Sequence, residues 1–177
     1  MMPQFSAERD TVRLMKRKIR YAFIDVDGVL SAPAYMNEET GEQVIGFSDE
    51  GWGRYLEEEG AYSYRYCKPV PQMKEYLSRL KEEGILVFVL SSVMNDTEKQ
   101  AKILFLDRNY PQLFREYFFV KKDDAKVRFM KKFAELNQAY YSECLFIDDT
   151  YDLLLKAHNE GITCAHIANV LAGNISR

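Results

Sequence analysis

The chain has 177 residues and a net charge of −3, which fits one domain, or one domain with a small insertion, and does not favour nucleic acid or an anionic membrane as a partner. Its composition is 47% hydrophobic and 29% charged, as in ordinary soluble globular proteins. The three cysteines are far apart and form no C-x-x-C pair, which argues against a disulfide framework or a zinc site.

The N-terminal segment is charged at residues 8–10 and has no continuous apolar stretch behind them. A secretory signal is therefore not expected, and no run approaches the ~20 apolar residues of a membrane span. These absences predict a cytoplasmic location. Basic residues cluster at 13–20 and again at 121–132, and we interpret both clusters as solvated helix faces and strand flanks.

Short apolar runs alternate with longer amphipathic ones over the C-terminal two-thirds of the chain. The apolar runs predict strands, and the intervening segments, whose apolar residues recur at helical spacing, predict helices. Strand-helix-strand repetition with apolar strands predicts an α/β fold: a three-layer, Rossmann-like, mostly parallel sheet flanked by helices on both faces. The predicted strands are 21–26, 85–90, 117–120, 144–147 and 162–167, and the predicted helices are 71–83, 97–108, 124–138 and 151–160.

Residues 31–68 interrupt this alternation. They contain several glycines, an acidic run at 57–59 and many aromatic side chains, without clear periodicity. We interpret the segment as a small insertion, or minimal cap, that packs over the carboxyl edge of the sheet within a single domain spanning residues 1–177. Its aromatic residues include Trp52, Tyr55, Tyr62, Tyr64 and Tyr66.

Asp25 and Asp27 follow the first predicted strand, in the segment FIDVDGVL. Residues two apart on an extended chain point to the same side, and Gly28 allows a sharp turn that places both carboxylates at one mouth. One carboxylate can then act as a nucleophile while the other handles a proton. A strand that merely ends in polar residues before a turn gives the same short pattern, so this motif alone does not identify a function.

A second acidic group stands in the segment LFIDDTYD, where Asp148 and Asp149 are adjacent and Asp152 falls in the first turn of the next helix. Helix capping explains one of these acids but hardly all three. Adjacent carboxylates after an apolar strand need solvent or a hard divalent cation to offset their repulsion. Because chemistry in such sheets gathers at the carboxyl ends of the strands, both acidic groups are candidates for one site.

Two further strand ends carry hydroxyl and ammonium groups. Ser91 and Ser92 can bind phosphate oxygens together with backbone N–H groups, although turn and cap formation explains Ser92 about equally well. Lys121, Lys122 and Lys126 lie around the start of the helix 124–138. One of them can offset the charge of a nucleophile and a phosphate, whereas lysines at such positions are often only solvated.

Together these residues resemble the haloacid dehalogenase superfamily of phosphatases and phosphotransferases. The order matches: an aspartate pair with glycine on the first strand, a serine after the second, a lysine at a later helix, and then the acidic cluster. The resemblance covers roughly residues 19–167. The D-x-D-G-V-L and double-aspartate elements in this order are specific, whereas the serine and lysine elements alone are weak.

The resemblance implies a phosphomonoester hydrolase that acts through an aspartyl-phosphate. It implies Asp25 as the nucleophile, Asp27 as the general acid and base, and Ser91 as a ligand of the phosphoryl oxygens. The spacing to the acidic cluster favours Lys126 over Lys122 as the neutralising lysine, but the lysine-proline pair that is frequent in the family is absent, so both stay open. The second aspartate favours a phosphatase over a dehalogenase, because a halide leaves without a proton.

The resemblance also implies a magnesium ion, held by the Asp25 carboxylate, the main-chain carbonyl of Asp27 and the pair Asp148 and Asp149. Asp149 matches the double-aspartate form of the family motif as direct ligand. Asp148 and Asp152 show the four-residue step of the other form. The sequence leaves the choice between Asp148 and Asp149 open.

The expected partner is a phosphorylated small molecule, and a nucleotide is one candidate because Trp52, Tyr55 and the neighbouring tyrosines could stack on a base. Aromatic residues in a small insertion more often pack with one another. An open site could equally serve a macromolecular phosphate. The alternatives are a phosphotransferase of the same family, which passes the phosphoryl group to an alcohol, and a non-catalytic binding or regulatory protein on the same scaffold.

Overall fold

The computed structural model of the chain describes residues 18–36, 40–44 and 46–173. The charged residues 8–10 and most of the N-terminal basic cluster, residues 13–17, lie outside this part of the chain. In chain order the strands are β1 (Tyr21–Ile24), β2 (Ser31–Ala32), β3 (Tyr35–Met36), β4 (Gln43–Val44), β5 (Lys68–Pro69), β6 (Leu86–Ser92), β7 (Glu116–Val120), β8 (Cys144–Asp148) and β9 (Thr163–His166). The α-helices are α1 (Asp49–Glu59), α2 (Pro71–Glu82), α3 (Asp96–Asn109), α4 (Asp124–Leu136), α5 (Tyr151–Asn159) and α6 (Ile167–Leu171).

The central sheet has five strands in the order β7-β6-β1-β8-β9, and every neighbouring pair is parallel. From β1 the chain builds β6 and β7 on one side and then crosses to add β8 and β9 on the other. The strand order therefore reverses at β1. In open α/β sheets this reversal leaves a crevice at the carboxyl ends of the strands, and that crevice is where ligands bind.

Alternate residues of β1 face opposite sides of the sheet, as the period of an extended chain requires. Ala22 and Ile24 are buried in a core with residues of α2, α3, α6 and the segment 31–68. Tyr21 and Phe23 are buried in a second core with residues of α4 and α5. The predicted three-layer α/β arrangement, with helices on both faces of a parallel sheet, is confirmed.

Each predicted strand and helix of the α/β unit is found, with bounds that differ by at most two residues. One difference affects the site: β6 continues to Ser92 instead of ending at residue 90. It does so because β7 pairs with it to the end, Ser91 opposite Phe119 and Ser92 opposite Val120. The two serines therefore belong to the strand, and their side chains point to opposite faces of the sheet.

The segment 31–68 lies between β1 and α2 and is held at both of its ends. β2 and β5 pair antiparallel where the chain leaves and re-enters the α/β unit, and β3 and β4 form a second antiparallel pair. The hydroxyl of Tyr110, at the end of α3, donates to the carbonyl of Leu30 at 2.6 Å and accepts from the N–H of Val70 at 2.9 Å. One buried tyrosine thus links α3 to both connections of the segment.

Within the segment, Ser48 caps the N-terminus of α1, because its Oγ accepts a hydrogen bond from the N–H of Gly51 at 3.1 Å. A 3₁₀ turn at Gly60–Tyr62 follows α1, and both pack against α3. No helix in the described part of the chain is long and apolar enough to cross a membrane.

Candidate functional site

Three carboxylates meet where β1 and β8 end. The register pairs Ile24 with Ile147, and the N–H of Asp25 donates to the carbonyl of Ile147 at 3.0 Å, so Asp25 and Asp148 occupy equivalent positions on adjacent strands. One oxygen from each of Asp25, Asp148 and Asp149 lies within 4.8 Å of the others. The two acidic groups of the sequence are thus brought together.

Lys126 lies among these carboxylates. Its Nζ is 3.0 Å from Oδ1 of Asp25, 3.0 Å from Oδ2 of Asp148 and 3.0 Å from Oδ1 of Asp123. Burial by itself lowers the pKa of Lys126, but the three carboxylates outweigh it and raise that pKa above its ordinary value. The ammonium therefore stays charged. Lys122, the other lysine that the sequence left open, is exposed.

Asp123 is the N-cap residue of α4, but its side chain makes no capping hydrogen bond. It pairs with Lys126 instead, one helical turn further on. Burial by itself raises the pKa of Asp123, but Lys126 lowers it further, so that pKa lies below its usual range. The capping position thus serves to hold the buried lysine.

Asp25 is only 6% exposed. Burial raises its pKa to about 7, a shift that Lys126 opposes and that Asp148 and Asp27 reinforce. The Lys126 ammonium forms an ion pair with Oδ1 at 3.0 Å, and this buried oxygen accepts no hydrogen bond from any described residue. A buried carboxylate oxygen that has one ion pair and no hydrogen bond, beside two more carboxylates, fits a hard cation with oxygen ligands such as Mg²⁺.

Asp148 and Asp149 have different surroundings. Asp148 is fully buried, and its two oxygens accept from the N–H of Thr150 at 2.8 Å and from Lys126 at 3.0 Å. Asp149 is exposed, and burial of part of its carboxyl together with the charge of Asp148 raises its pKa. The third acid of this group, Asp152, is exposed in the first turn of α5 and outside the carboxylate cluster.

Gly28 makes room for Asp149. Its φ is +71°, and a Cβ built there would lie 2.0 Å from Oδ2 of Asp149. Any side chain at residue 28 would therefore displace the carboxylate as well as strain the turn. The glycine of the D-x-D-G motif thus serves the second acidic group as well as its own loop.

Asp27 is held by Lys102, which no sequence motif indicated, and by Tyr64, which the sequence suggested only for stacking on a base. Its Oδ1 accepts a hydrogen bond from the hydroxyl of Tyr64 at 2.7 Å, and its Oδ2 is 2.8 Å from Nζ of Lys102. Lys102 is 1% exposed and also contacts Oε1 of Glu98 at 2.9 Å. A signal was available, because Glu98 and Lys102 are an i, i+4 charged pair on the buried face of α3, beside Ala101.

Ser91 is buried, and its Oγ accepts a hydrogen bond from Lys102 at 3.1 Å. The carbonyl of Ser92 accepts from the same ammonium at 2.6 Å. Burial by itself lowers the pKa of Lys102, but Asp27 and Glu98 outweigh it and raise that pKa. Two buried ammonium groups therefore lie beside the aspartate pair that follows β1, Lys126 at Asp25 and Lys102 at Asp27.

A cavity of about 380 Å³ lies beside this site, between the 3₁₀ turn and α3. Its lining includes Tyr64, Phe105 and Arg108 but none of the clustered carboxylates. Tyr64 is the link between the two places, since its side chain lines the cavity and its hydroxyl contacts Asp27. The cavity is therefore next to the carboxylate cluster, not part of it.

No family model and no curated protein matches this sequence. Solved structures match the fold. A haloacid dehalogenase-like hydrolase from Streptococcus pneumoniae has a TM-score of 0.54 at 16% identity, covering 87% of this chain and 90% of that chain. A HAD family enzyme from Bacteroides thetaiotaomicron has a TM-score of 0.54 at 15% identity, covering 85% and 94%.

A mutant of the Bacteroides enzyme, in complex with magnesium and inorganic phosphate, has a TM-score of 0.52 at 16% identity over 84% of this chain and 93% of that chain. At these identities the likeness concerns the backbone arrangement. The chain therefore has the fold of haloacid dehalogenase-like enzymes, as the motifs indicated.

Proposed function

We propose that this chain is a magnesium-dependent phosphomonoester hydrolase that acts on phosphorylated small molecules. The observation that carries the proposal is the buried Asp25 oxygen without a hydrogen bond, in a cluster with Asp148, Asp149 and the Lys126 ammonium. A carboxylate so placed is ready to attack an electrophile that arrives together with a cation. The magnesium and phosphate in the mutant structure of the similarly folded Bacteroides enzyme agree with this choice.

In the proposed first step, an oxygen of Asp25 forms a bond to phosphorus while the bond from phosphorus to the ester oxygen breaks. Asp27 gives a proton to the departing oxygen. In the second step Asp27 takes a proton from water as that water attacks the aspartyl-phosphate, which releases phosphate and restores the Asp25 carboxylate. The Lys126 ammonium keeps the region beside Asp25 from becoming too negative for a phosphate to approach.

The carboxylates of Asp25 and Asp149 and the main-chain carbonyl of Asp27 would hold Mg²⁺, which when bound neutralises charge on the phosphoryl oxygens. We assign the direct contact to Asp149 over Asp148, because both oxygens of Asp148 already accept hydrogen bonds from Thr150 and Lys126. Asp148 then acts by holding Lys126.

Residues 31–68 serve in this proposal as a minimal cap that contacts the leaving group. One support is that Tyr64 of this segment contacts Asp27. Another is that Gly53 of α1 lies beside Met94 in the loop after β6: a Cβ added at Gly53 would be 3.7 Å from the Met94 sulfur. Trp52 and Tyr55 stack on each other with ring centroids 5.6 Å apart. This contact favours packing within the cap over stacking on a base, so a nucleotide substrate stays a prediction without added support.

The test is a phosphate-release screen across nucleotides, sugar phosphates and phosphopeptides, with Mg²⁺ and with chelator. We expect metal-dependent release that Asp25→Asn abolishes. The matched control is Asp152→Asn, which removes an exposed acid next to the cluster and should leave release within about twofold of wild type.

Release in excess chelator, or more than a few per cent of turnover in Asp25→Asn, would contradict the proposal. Faster consumption of substrate when an alcohol acceptor is added would favour the phosphotransferase alternative. No release from any compound, together with no effect of Mg²⁺ on stability, would favour the non-catalytic alternative.

A further inference from the structure

We propose that Lys102 and Tyr64 are positioning residues that hold the Asp27 carboxylate from two sides, and that proton transfer to the leaving group depends on both. The inference rests on the function proposed above and extends it to two residues outside the family motifs that the sequence displays. It also makes the cap segment part of the proton-transfer geometry through Tyr64.

The first argument is the mobility that Asp27 would otherwise have. Its side chain is 42% exposed, unlike that of Asp25, so packing alone does not select one rotamer. The Tyr64 hydroxyl at 2.7 Å from Oδ1 and the Lys102 ammonium at 2.8 Å from Oδ2 engage both oxygens. A proton donor must lie within hydrogen-bond reach of the departing oxygen, so the orientation that these contacts set is decisive.

The second argument is that Lys102 is itself held in place. Its ammonium contacts Oδ2 of Asp27, Oε1 of Glu98, Oγ of Ser91 and the carbonyl of Ser92, all within 3.1 Å. Glu98 is fixed in turn, because its other oxygen accepts from the N–H of Met94 at 2.7 Å. The position of the Lys102 ammonium, and through it the orientation of Asp27, therefore depends on β6 and the loop after it.

The third argument is the burial of this charge. A buried lysine paired with carboxylates is no more stabilising than well-packed apolar side chains of similar size, so stability alone does not explain the pair in the apolar face of α3. The location beside Asp27 and Ser91 does. Lys102 is therefore best understood as part of the site.

The fourth argument is that Tyr64 is rigid and belongs to the cap. It is 3% exposed, and its ring packs at 6.0 Å from Phe105 of α3 and 6.1 Å from Trp52 of α1. Its hydroxyl is thus placed by contacts with both the cap and the α/β unit. A shift of the cap relative to α3 would move one of the two donors on Asp27.

The experiment uses three aryl phosphates of similar size whose leaving groups differ in acidity: phenyl, 4-chlorophenyl and 4-nitrophenyl phosphate. 4-Nitrophenolate leaves with little help from an acid, whereas phenolate needs a proton from Asp27. We expect Tyr64→Phe to lower kcat/KM, which reports the step that cleaves the ester bond, about tenfold on phenyl phosphate and by less than about twofold on 4-nitrophenyl phosphate. Lys102→Met should give the same pattern with a larger loss.

The matched control is Tyr55→Phe. Tyr55 is a buried tyrosine of the same cap whose hydroxyl donates to the carbonyl of Ser63 at 3.2 Å and does not contact Asp27. It should leave the three substrates in their wild-type ratio. In an Asp27→Asn background, Tyr64→Phe should lose its effect on 4-chlorophenyl phosphate, because that effect acts through Asp27.

The outcomes separate the two proposals. If the wild type releases no phosphate in a metal-dependent way, the proposed function is wrong and the positioning role is wrong with it. Suppose instead that the wild type is active but Tyr64→Phe lowers kcat/KM equally for all three esters, changes it for none, or still lowers it in the Asp27→Asn background. Only the positioning role is then overturned. If circular dichroism shows that Lys102→Met is unfolded, Tyr64→Phe and its double-mutant cycle decide alone.

Discussion

Replacing Asp25 with asparagine should stabilise the protein in the absence of metal. The reason is that burial raises the pKa of this carboxyl from 3.8 to about 7 in the folded molecule. The folded state therefore holds the proton more tightly than the unfolded chain does. Ionising Asp25 weakens the fold, and this loss grows as pH rises from about 4 to about 7.

The size of the effect follows from the shift. A difference of about 3 pKa units corresponds to about 4 kcal/mol at 1.36 kcal/mol per unit. Asparagine has nearly the shape of the protonated carboxyl and does not ionise. We expect Asp25→Asn to raise the free energy of unfolding by about 2–4 kcal/mol at pH 8 and by much less at pH 4.

The assay is urea denaturation followed by circular dichroism in chelator, at both pH values. Mg²⁺ should then stabilise the wild type far more than the variant, because a ligand that binds only the folded state adds RT ln(1 + [L]/Kd). Asp152→Asn, an exposed neighbour, serves as the control and should change little. If Asp25→Asn is no more stable than wild type at pH 8 without metal, the folded protein does not disfavour the ionised form of Asp25, and the reasoning is wrong.

Three further outcomes are expected. Gly28→Ala should lower the free energy of unfolding more than Gly84→Ala does, because Gly84 has a similar positive φ of +80° but no atom within 4 Å of an added Cβ. Only Gly28→Ala should weaken Mg²⁺ binding, measured by isothermal calorimetry. Asp149→Ala should raise the Mg²⁺ concentration for half-maximal activity more than Asp148→Ala does. Asp148→Ala should lower the urea midpoint more, because it removes one of the three carboxylates that pair with the buried Lys126; the reverse order would exchange the two roles. Trp52→Ala should lower the free energy of unfolding by about 1–3 kcal/mol, because it removes ring contacts with Tyr35 and Tyr55. It should lower the turnover of nucleotides and of aryl phosphates by the same factor. A loss of turnover with nucleotides alone would restore the base-stacking hypothesis.

The sequence was sufficient for the parts of this molecule that depend on local pattern. The apolar runs of β1, β6 and β8 and the helical spacing in α2 and α4 predicted each element within two residues, because periodicity records which face of an element is buried. The convergence of Asp25 with Asp148 was also predictable. In a parallel sheet the carboxyl ends of all strands lie at one edge, so residues distant in sequence meet there.

Tertiary structure was needed wherever a contact depends on which neighbour a side chain meets. Sequence spacing favoured Lys126 over Lys122, but only the packing of α4 on the sheet buries its ammonium between Asp25 and Asp148. The link from Tyr64 to Asp27 spans 37 residues and a segment without clear periodicity.

The sequence motifs gave no role to Lys102, which the structure buries. Its buried charge is stabilised by two carboxylates: Glu98 lies one turn away in the same helix, and Asp27 comes from the loop after β1. Periodicity reports that a position is buried, whereas the identity of its partners is set by the three-dimensional arrangement of strands, helices and cap. The sequence by itself therefore determined the scaffold and the acidic motifs. Only the tertiary structure decided which lysine side chains pair with the aspartates of those motifs.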